Sequence, residues 1–221
     1  MSKVTKFAKY VCDHLTDFEL IRDLIVLQPT EHIVRGFSFD RSSTKDCYYI
    51  LRIIVPLFSP VMPNLSLNYS ERISIDGRGD SLVKIQKTEC DDREKLLEIL
   101  KFEHIPFLRN LSGAEDFIRY CSGINMIRPN MKLEFALAHC IVGNFSLGKS
   151  LLFEVIEVIT PVIAEEPFFF SVRNQAQRVL DAVEAGGSEL YSLIQEFENE
   201  NMQKHFPQLT RLFRTKSNGG R

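Results

Sequence analysis

Residues 131–150 read MKLEFALAHCIVGNFSLGKS, and the interpretation of this stretch decides the fold class. Its last eight residues match G-x-x-x-x-G-K-[ST], the pattern of a phosphate-binding P-loop. In such a loop Lys149 would reach the β- and γ-phosphates of a nucleotide, and Ser150 would hold Mg²⁺. Gly143 and Gly148 would let backbone N–H groups approach the phosphates. The pattern requires a buried parallel strand before Gly143, so the residues that precede it are the test.

The residues before Gly143 have the spacing of a helix. Their apolar side chains recur at intervals of three and four residues, at Leu133, Ala136, Leu137 and Cys140. We therefore predict two antiparallel helices that meet at residues 143–146, where Gly143 ends the first and Ser146 caps the second. Gly148 would then allow the two helices to approach closely. A nucleotide site formed by Gly143, Gly148, Lys149 and Ser150 is the alternative interpretation.

Most of the C-terminal half has the same helical periodicity. Acidic residues at 91–94 suit the first turn of a helix, and Pro106 is expected to stop that helix. A capping-box pattern at 112–115 predicts the start of another helix. Further helices are predicted over 130–142, 146–159, 171–185 and 188–203.

The N-terminal half changes from helical to extended periodicity. A helix is predicted over residues 3–27, and Pro29 ends its pattern. The run 48–58 is apolar at almost every position, which is typical of a central strand covered on both faces. Residues 65–75 alternate between apolar and polar side chains, which predicts another strand. A short strand is also expected within 81–86.

Strands early in the chain and helices late in it indicate an α+β protein. We predict an N-terminal helix and a small, mostly antiparallel sheet, followed by an all-helical C-terminal half. The predicted divisions are a sheet-containing half over 1–110, a helical half packed on it over 111–213, and a disordered tail over 214–221. A single domain is the alternative.

The composition narrows the class of partner and compartment. The 27 Lys and Arg nearly balance the 29 Asp and Glu, so a nucleic-acid partner bound through overall positive charge is not expected. The five cysteines are scattered and odd in number, which does not indicate a disulfide framework. No apolar run reaches the length of a transmembrane helix, and no secretory signal is recognised, so we predict a cytoplasmic protein.

The sequence indicates no catalytic residue, metal site or cofactor. The five histidines form neither H-x-x-x-H nor H-E-x-x-H, and no two cysteines form C-x-x-C. An enzyme whose active site combines residues distant in sequence would also lack a recognisable catalytic motif. The segment Phe168, Phe169 and Phe170 is a candidate partner-binding anchor, with a linker that fills the core as the alternative.

The segment Leu133-x-x-Ala136-x-x-x-Cys140-x-x-Gly143-Asn144-Phe145-x-x-Gly148 resembles the helical hairpin of tetratricopeptide-type repeats, here over 133–158. That resemblance implies binding of peptides or proteins. More broadly, the order of elements is similar to uncharacterised bacterial α+β families of unknown function. The elements on which this similarity depends are the N-terminal helix, the strand pair at 48–58 and 65–75, the segment 105–108 and the helical remainder. These families have no established catalytic residues, so the similarity assigns none to this chain.

We therefore predict a non-catalytic protein that acts by protein–protein binding, with an accessory or immunity-like factor as one such role. The protein partner is unknown, and a homo-oligomer is compatible with the sequence. Two alternatives stay open. One is a P-loop nucleotide-binding protein that uses residues 143–150. The other is a small-ligand binder with a cleft between sheet and helices.

Overall fold

The computed structural model describes residues 3–22, 24–41, 47–62, 68–74, 83–84, 90–126, 128–159 and 166–208. The predicted α+β class is confirmed, with an N-terminal helix, a small antiparallel sheet and then a helical half. The strands are β1 (Phe18–Ile21), β2 (Leu24–Leu27), β3 (Ile33–Arg41), β4 (Cys47–Pro56), β5 (Glu71–Arg72) and β6 (Val83–Lys84). The α-helices are α1 (Lys3–Asp13), α2 (Cys90–Ile99), α3 (Ile105–Arg109), α4 (Ala114–Cys121), α5 (Pro129–Ile141), α6 (Phe145–Val158), α7 (Pro167–Ala185) and α8 (Gly187–His205).

The sheet has the strand order β1-β2-β3-β4-β5, and β6 also pairs with β4. The register places Phe18 opposite Leu27 in the β1–β2 pair and Ile25 opposite Phe37 in the β2–β3 pair. β4 is the buried central strand that its apolar sequence predicts, because the consecutive residues 53–55 are all fully buried. Of the predicted strand over 65–75, only Glu71–Arg72 forms a strand, β5, within the described residues 68–74, while residues 65–67 and 75 lie outside the described residues.

The prediction of one helix over 3–27 is wrong after residue 13. Asp17 has a positive φ of 68° between α1 and β1, and residues 18–27 form the β1–β2 hairpin. Ile21 pairs directly with Leu24, so the connection has two residues, and Arg22 adopts the positive φ of 57° that tight hairpins require. Short apolar runs carry too few residues to distinguish the helical period from the strand period.

Pro106 does not end the helix that begins at Cys90, which corrects a second prediction. Residues Leu100–His104 form a π-helix, in which the Ile105 N–H donates to the carbonyl of Leu100. Pro106 then lies in the first turn of α3, directly after this π-helix. The wider turn thus lets the chain continue helically as far as Arg109.

Arg35 is a buried cation that holds three segments of the sheet-containing part together. It is 5% exposed on β3. Its Nη1 donates to the carbonyl of Leu111 at 2.7 Å, and its Nη2 donates to the carbonyl of Pro29 at 2.9 Å. A weaker bond of 3.4 Å joins Nη1 to the carbonyl of Leu108 at the end of α3. The guanidinium thereby supplies charged donors to the Leu111 and Pro29 carbonyls, whereas the Leu108 carbonyl also accepts from the Leu111 N–H at 3.2 Å.

α5, α6, α7 and α8 follow one another as antiparallel hairpins. Lys132 near the start of α5 pairs with Glu154 near the end of α6, at 2.9 Å. Lys149 near the start of α6 lies 3.8 Å from Glu184 near the end of α7. Gly186, with a φ of 127°, makes the turn between α7 and α8. The four predicted helices are confirmed with ends shifted by a few residues.

A buried polar cluster joins the segment after β4 to two of these helices. Ser59 Oγ donates to Glu134 Oε1 of α5 at 2.5 Å, and both side chains are buried. Asn201 Nδ2 of α8 donates to the carbonyls of Leu57 and Ser59, each at 2.7 Å. These bonds connect residues more than 70 positions apart in sequence, so they fix tertiary rather than local structure.

The chain divides into two compact units. The first comprises Met1–Val55 and Leu67–Leu111, and the second comprises Pro56–Ser66 and Ser112–Arg221. The predicted tail at 214–221 lies outside the described residues. Among the helices that the structure describes, none has the length and apolar character needed to cross a bilayer.

Candidate protein-binding surface

The P-loop pattern lies on a helical hairpin. Its first glycine, Gly143, has a φ of 80° and follows the last turn of α5, and its remaining residues belong to the turn and to α6. A helix therefore occupies the position at which a P-loop has its strand. The N-cap of α6 is Asn144 rather than the predicted Ser146.

The side chains of the pattern make contacts within the hairpin and with α7. A Cβ on Gly148 would overlap Cys140 Sγ and lie 3.2 Å from the Ala136 carbonyl, so Gly148 allows α5 and α6 to approach closely, as predicted. Lys149 extends toward Glu184 on α7. Ser150 is exposed. The glycines and the lysine thus have packing and pairing roles that require no phosphate.

The predicted anchor at 168–170 forms the first turn of α7. Phe168 and Phe170 are exposed, while Phe169 is half-buried and packs edge-to-face on Phe168 with their ring centroids 5.5 Å apart. The interpretation as a linker that fills the core is therefore wrong for Phe168 and Phe170. Pro167 suits this position because a proline in the first helical turn loses no hydrogen bond.

The last two turns of α6 bring further apolar side chains to the same end of the α6–α7 hairpin. We call this set the apolar end, and its exposed fractions are 48% for Phe153, 56% for Val158, 40% for Phe168 and 55% for Phe170. The antiparallel contact of Lys149 with Glu184 means that the end of α6 and the start of α7 point toward the same end of the hairpin. The α6–α7 hairpin thus exposes four large apolar side chains, two of them in the first turn of α7.

Phe153 and Val158 were not identified from the sequence as surface residues. A helical projection of α6 carries the necessary signal for Phe153 alone. Leu152 and Val155 are fully buried, and at 100° per residue Phe153 projects about 130° away from their mean direction. Val158 lies only about 60° from Val155 in this projection, and it is the last residue of α6. Periodicity alone marked them as helical and apolar, not as exposed.

Acidic side chains flank the apolar end. Glu157 precedes Val158, and Glu166 is the N-cap of α7. Both are exposed, and neither forms an ion pair with any residue that the structure describes. The surface therefore combines apolar side chains with uncompensated negative charge.

The titratable groups nearby are suited to packing rather than to nucleophilic chemistry. Burial, followed by the negative charge of Glu134, raises the pKa of the Cys121 thiol to about 12. Burial raises the pKa of Cys140 to about 11, although Lys149 opposes that shift. A thiol must ionise to act as a nucleophile, so both cysteines are inert at neutral pH. In the described part of the chain, no three His, Cys, Asp or Glu side chains are grouped to hold a metal ion.

His139 lies beside the turn between α5 and α6. Its Nδ1 is 3.5 Å from Asn144 Nδ2, and its ring packs edge-to-face on Phe135. Its Nε2 is buried and has no hydrogen-bond partner among the described residues. Burial lowers the pKa of His139, which therefore stays neutral in the folded protein at neutral pH.

Comparisons with protein-family models, with curated proteins and with solved structures found no match for this chain.

Proposed function

We propose that the protein acts without catalysis, by binding another protein through the apolar end. The observation that carries this proposal is the exposure of Phe153, Val158, Phe168 and Phe170 on the α6–α7 hairpin. Phenylalanine, like the other aromatic residues, is enriched at protein interfaces relative to the rest of the surface. An accessory role in a larger assembly fits this mode of action.

The flanking acids specify the chemistry of the partner. Glu157 and Glu166 would attract a segment that carries Lys or Arg beside its apolar residues. We therefore propose a partner segment with apolar side chains that pack on the four residues of the apolar end, and with basic residues on either side. Such a complex would weaken as the salt concentration rises.

The test is a cross-linking pull-down from the cells that produce the protein, with two matched double variants. Phe168→Ser/Phe170→Ser removes two rings from the apolar end. Phe145→Ser/Leu147→Ser removes two side chains of similar exposure, 42% and 41%, from the opposite end of α6. We expect a cross-linked protein that the first variant loses and the second retains, attached through a basic, apolar segment.

Two results would contradict the proposal. One is a captured set of proteins that is the same for the wild type and the Phe168→Ser/Phe170→Ser variant. The other is self-association of the purified protein that this variant abolishes, measured by sedimentation, because the apolar end would then bind a second copy. Circular dichroism and thermal unfolding establish that each variant is folded before it is compared.

A further inference from the structure

A cleft lies between the segment after β4 and helix α8, and its lining residue Ser171 directly follows Phe170 on α7. Its lining comprises residues 59–62, Ser171, Phe197, Glu200, Asn201 and Lys204, and its volume is about 210 Å³. Since a water molecule takes roughly 30 Å³ in the liquid, the cleft has room for a solute of several heavy atoms.

The walls of the cleft are fixed by hydrogen bonds within the protein. Asn201 is only 6% exposed, and its Nδ2 donates to the carbonyls of Leu57 and Ser59. The Met62 carbonyl accepts from Lys204 Nζ at 3.2 Å and lies 3.0 Å from His205 Nε2. The segment 57–62 is thus tied to α8 at both ends, so contacts within the protein hold the walls of the cleft in place. Walls held in this way lose little free energy to ordering when a ligand binds.

Several polar groups of the lining retain unused bonding capacity. Both hydrogens of Asn201 Nδ2 are engaged, while its Oδ1 accepts no bond from the residues that the structure describes. Glu200 is spaced to pair with Lys204 one turn later, yet Lys204 donates to Met62 instead. Within the described ranges Glu200 forms no ion pair and Ser171 forms no side-chain hydrogen bond.

We propose that this cleft binds a free α-amino acid with an apolar side chain, in its zwitterionic form. Glu200 and Asn201 Oδ1 would accept from the α-ammonium group, and Lys204 and Ser171 would donate to the α-carboxylate. Met62 and the other apolar lining residues, Pro60, Val61 and Phe197, would contact the side chain. The lining has one negative side chain, Glu200, and one positive side chain, Lys204. A ligand with a single charge would therefore pair with only one of these two side chains.

The experiment is a titration of the ¹⁵N-labelled protein, followed by NMR, with three probes at millimolar concentration. L-Leucine carries both charges, L-leucinamide keeps only the ammonium group, and N-acetyl-L-leucine keeps only the carboxylate. We expect L-leucine to shift the Asn201 side-chain amide and the backbone amides of 59–62. We expect each analogue to bind at least about tenfold more weakly, because each has lost one charge-assisted contact.

Two single-charge variants and a control complete the test. Glu200→Gln and Lys204→Met should each weaken L-leucine binding about tenfold, while Glu115→Gln on exposed α4 should leave it unchanged. Glu200 and Lys204 are exposed, and the thermal midpoint of each variant shows whether it folds. The proposal is overturned if L-leucine shifts none of these resonances, or if either analogue binds as tightly as L-leucine. This outcome is distinguishable from that of the partner test above, because it is measured on the resonances of Asn201 and residues 59–62 with purified protein and small probes.

Discussion

At the scale of single residues, two side-chain positions control the α5–α6 hairpin. Gly148 sets the distance between the helices, because Cys140 Sγ occupies the space that a Cβ would need. His139 places a buried imidazole beside Asn144, in the turn between α5 and α6. Each has a measurable consequence for the free energy of unfolding.

Gly148→Ala should destabilise the protein by about 1–3 kcal/mol, because the added methyl group overpacks the contact with Cys140. The change appears as a lower midpoint of urea unfolding. Gly187→Ala is the matched control. Nothing lies within 4 Å of a Cβ at Gly187, which opens α8, so alanine there should be neutral or slightly stabilising. Equal effects of the two substitutions would show that Gly148 has no packing role.

The pKa of His139 predicts how stability changes with pH. Burial lowers this pKa in the folded protein, so the unfolded chain, with an ordinary histidine pKa near 6.5, binds the proton more readily. Stability is therefore greatest above about pH 6.5 and falls as the pH drops through that value toward the folded pKa. Histidine 104 acts in the same direction, since burial and then Arg52 lower its pKa.

His139→Leu should reduce the loss of unfolding free energy between neutral pH and about pH 5, because it removes one of these two groups. Chemical denaturation at a series of pH values measures that slope. His14→Gln, at the exposed residue that follows α1, is the control. A slope unchanged by His139→Leu would mean that protonation of His139 is not linked to folding.

At the scale of elements, periodicity predicted the long helices well and the short strands β1 and β2 poorly. The residues of α5 to α8 repeat their apolar pattern over several turns, so the helical period is unmistakable. β1 and β2 have four residues each, too few to define a period. The rule that a proline ends a helix failed at Pro106 because a π-helix precedes this residue. A π-helix has no sequence signature of its own.

The candidate surface was predictable only in part, for a related physical reason. Phe168 and Phe170 stood out because they belong to a run of three consecutive phenylalanines, whereas Phe153 and Val158 look like any apolar residues of a helix. Exposure depends on which face of α6 is covered by neighbouring helices. Likewise, Ser59 and Glu134 are 75 residues apart, and nothing in either local sequence indicates that they meet.

Ser59→Ala should destabilise the protein by about 1.5–3 kcal/mol, because a buried carboxylate loses a hydroxyl donor at 2.5 Å. Urea unfolding measures the change. Ser146→Ala serves as the control, since Ser146 is exposed and α6 is not capped by a side chain. A large loss of stability in the control would indicate that Ser146 caps α6 after all.

Arg35→Met should lower the free energy of unfolding by about 2–4 kcal/mol, because the Leu111 and Pro29 carbonyls lose a buried charged donor. Arg109→Met is the comparison. Arg109 is half exposed and pairs with Asp17 at 3.3 Å, so its removal should cost less than about 1 kcal/mol. If both substitutions cost the same, the buried contacts of Arg35 contribute no more than a surface ion pair.

At the scale of the whole molecule, the helical setting of residues 143–150 predicts no response to nucleotides. Mg²⁺–ATP and Mg²⁺–GTP should leave the thermal midpoint unchanged in the wild type and in Lys149→Ala. A ligand at about 100 times its Kd would stabilise by about 2.7 kcal/mol. In a chain of this length that is a rise of roughly 5–10 °C. A rise of this size that Lys149→Ala abolishes would establish a nucleotide site.

The second compact unit is assembled from two separate stretches of the gene. Leu57 and Ser59 supply the carbonyls that Asn201 binds, and Ser59 supplies the hydroxyl that Glu134 binds, yet both come from the short stretch 56–66. A clone that starts at codon 112 would therefore encode helices in which the Asn201 amide and the Glu134 carboxylate lack these hydrogen-bond partners. Any attempt to transplant or evolve this unit as a module must carry those few upstream codons with it.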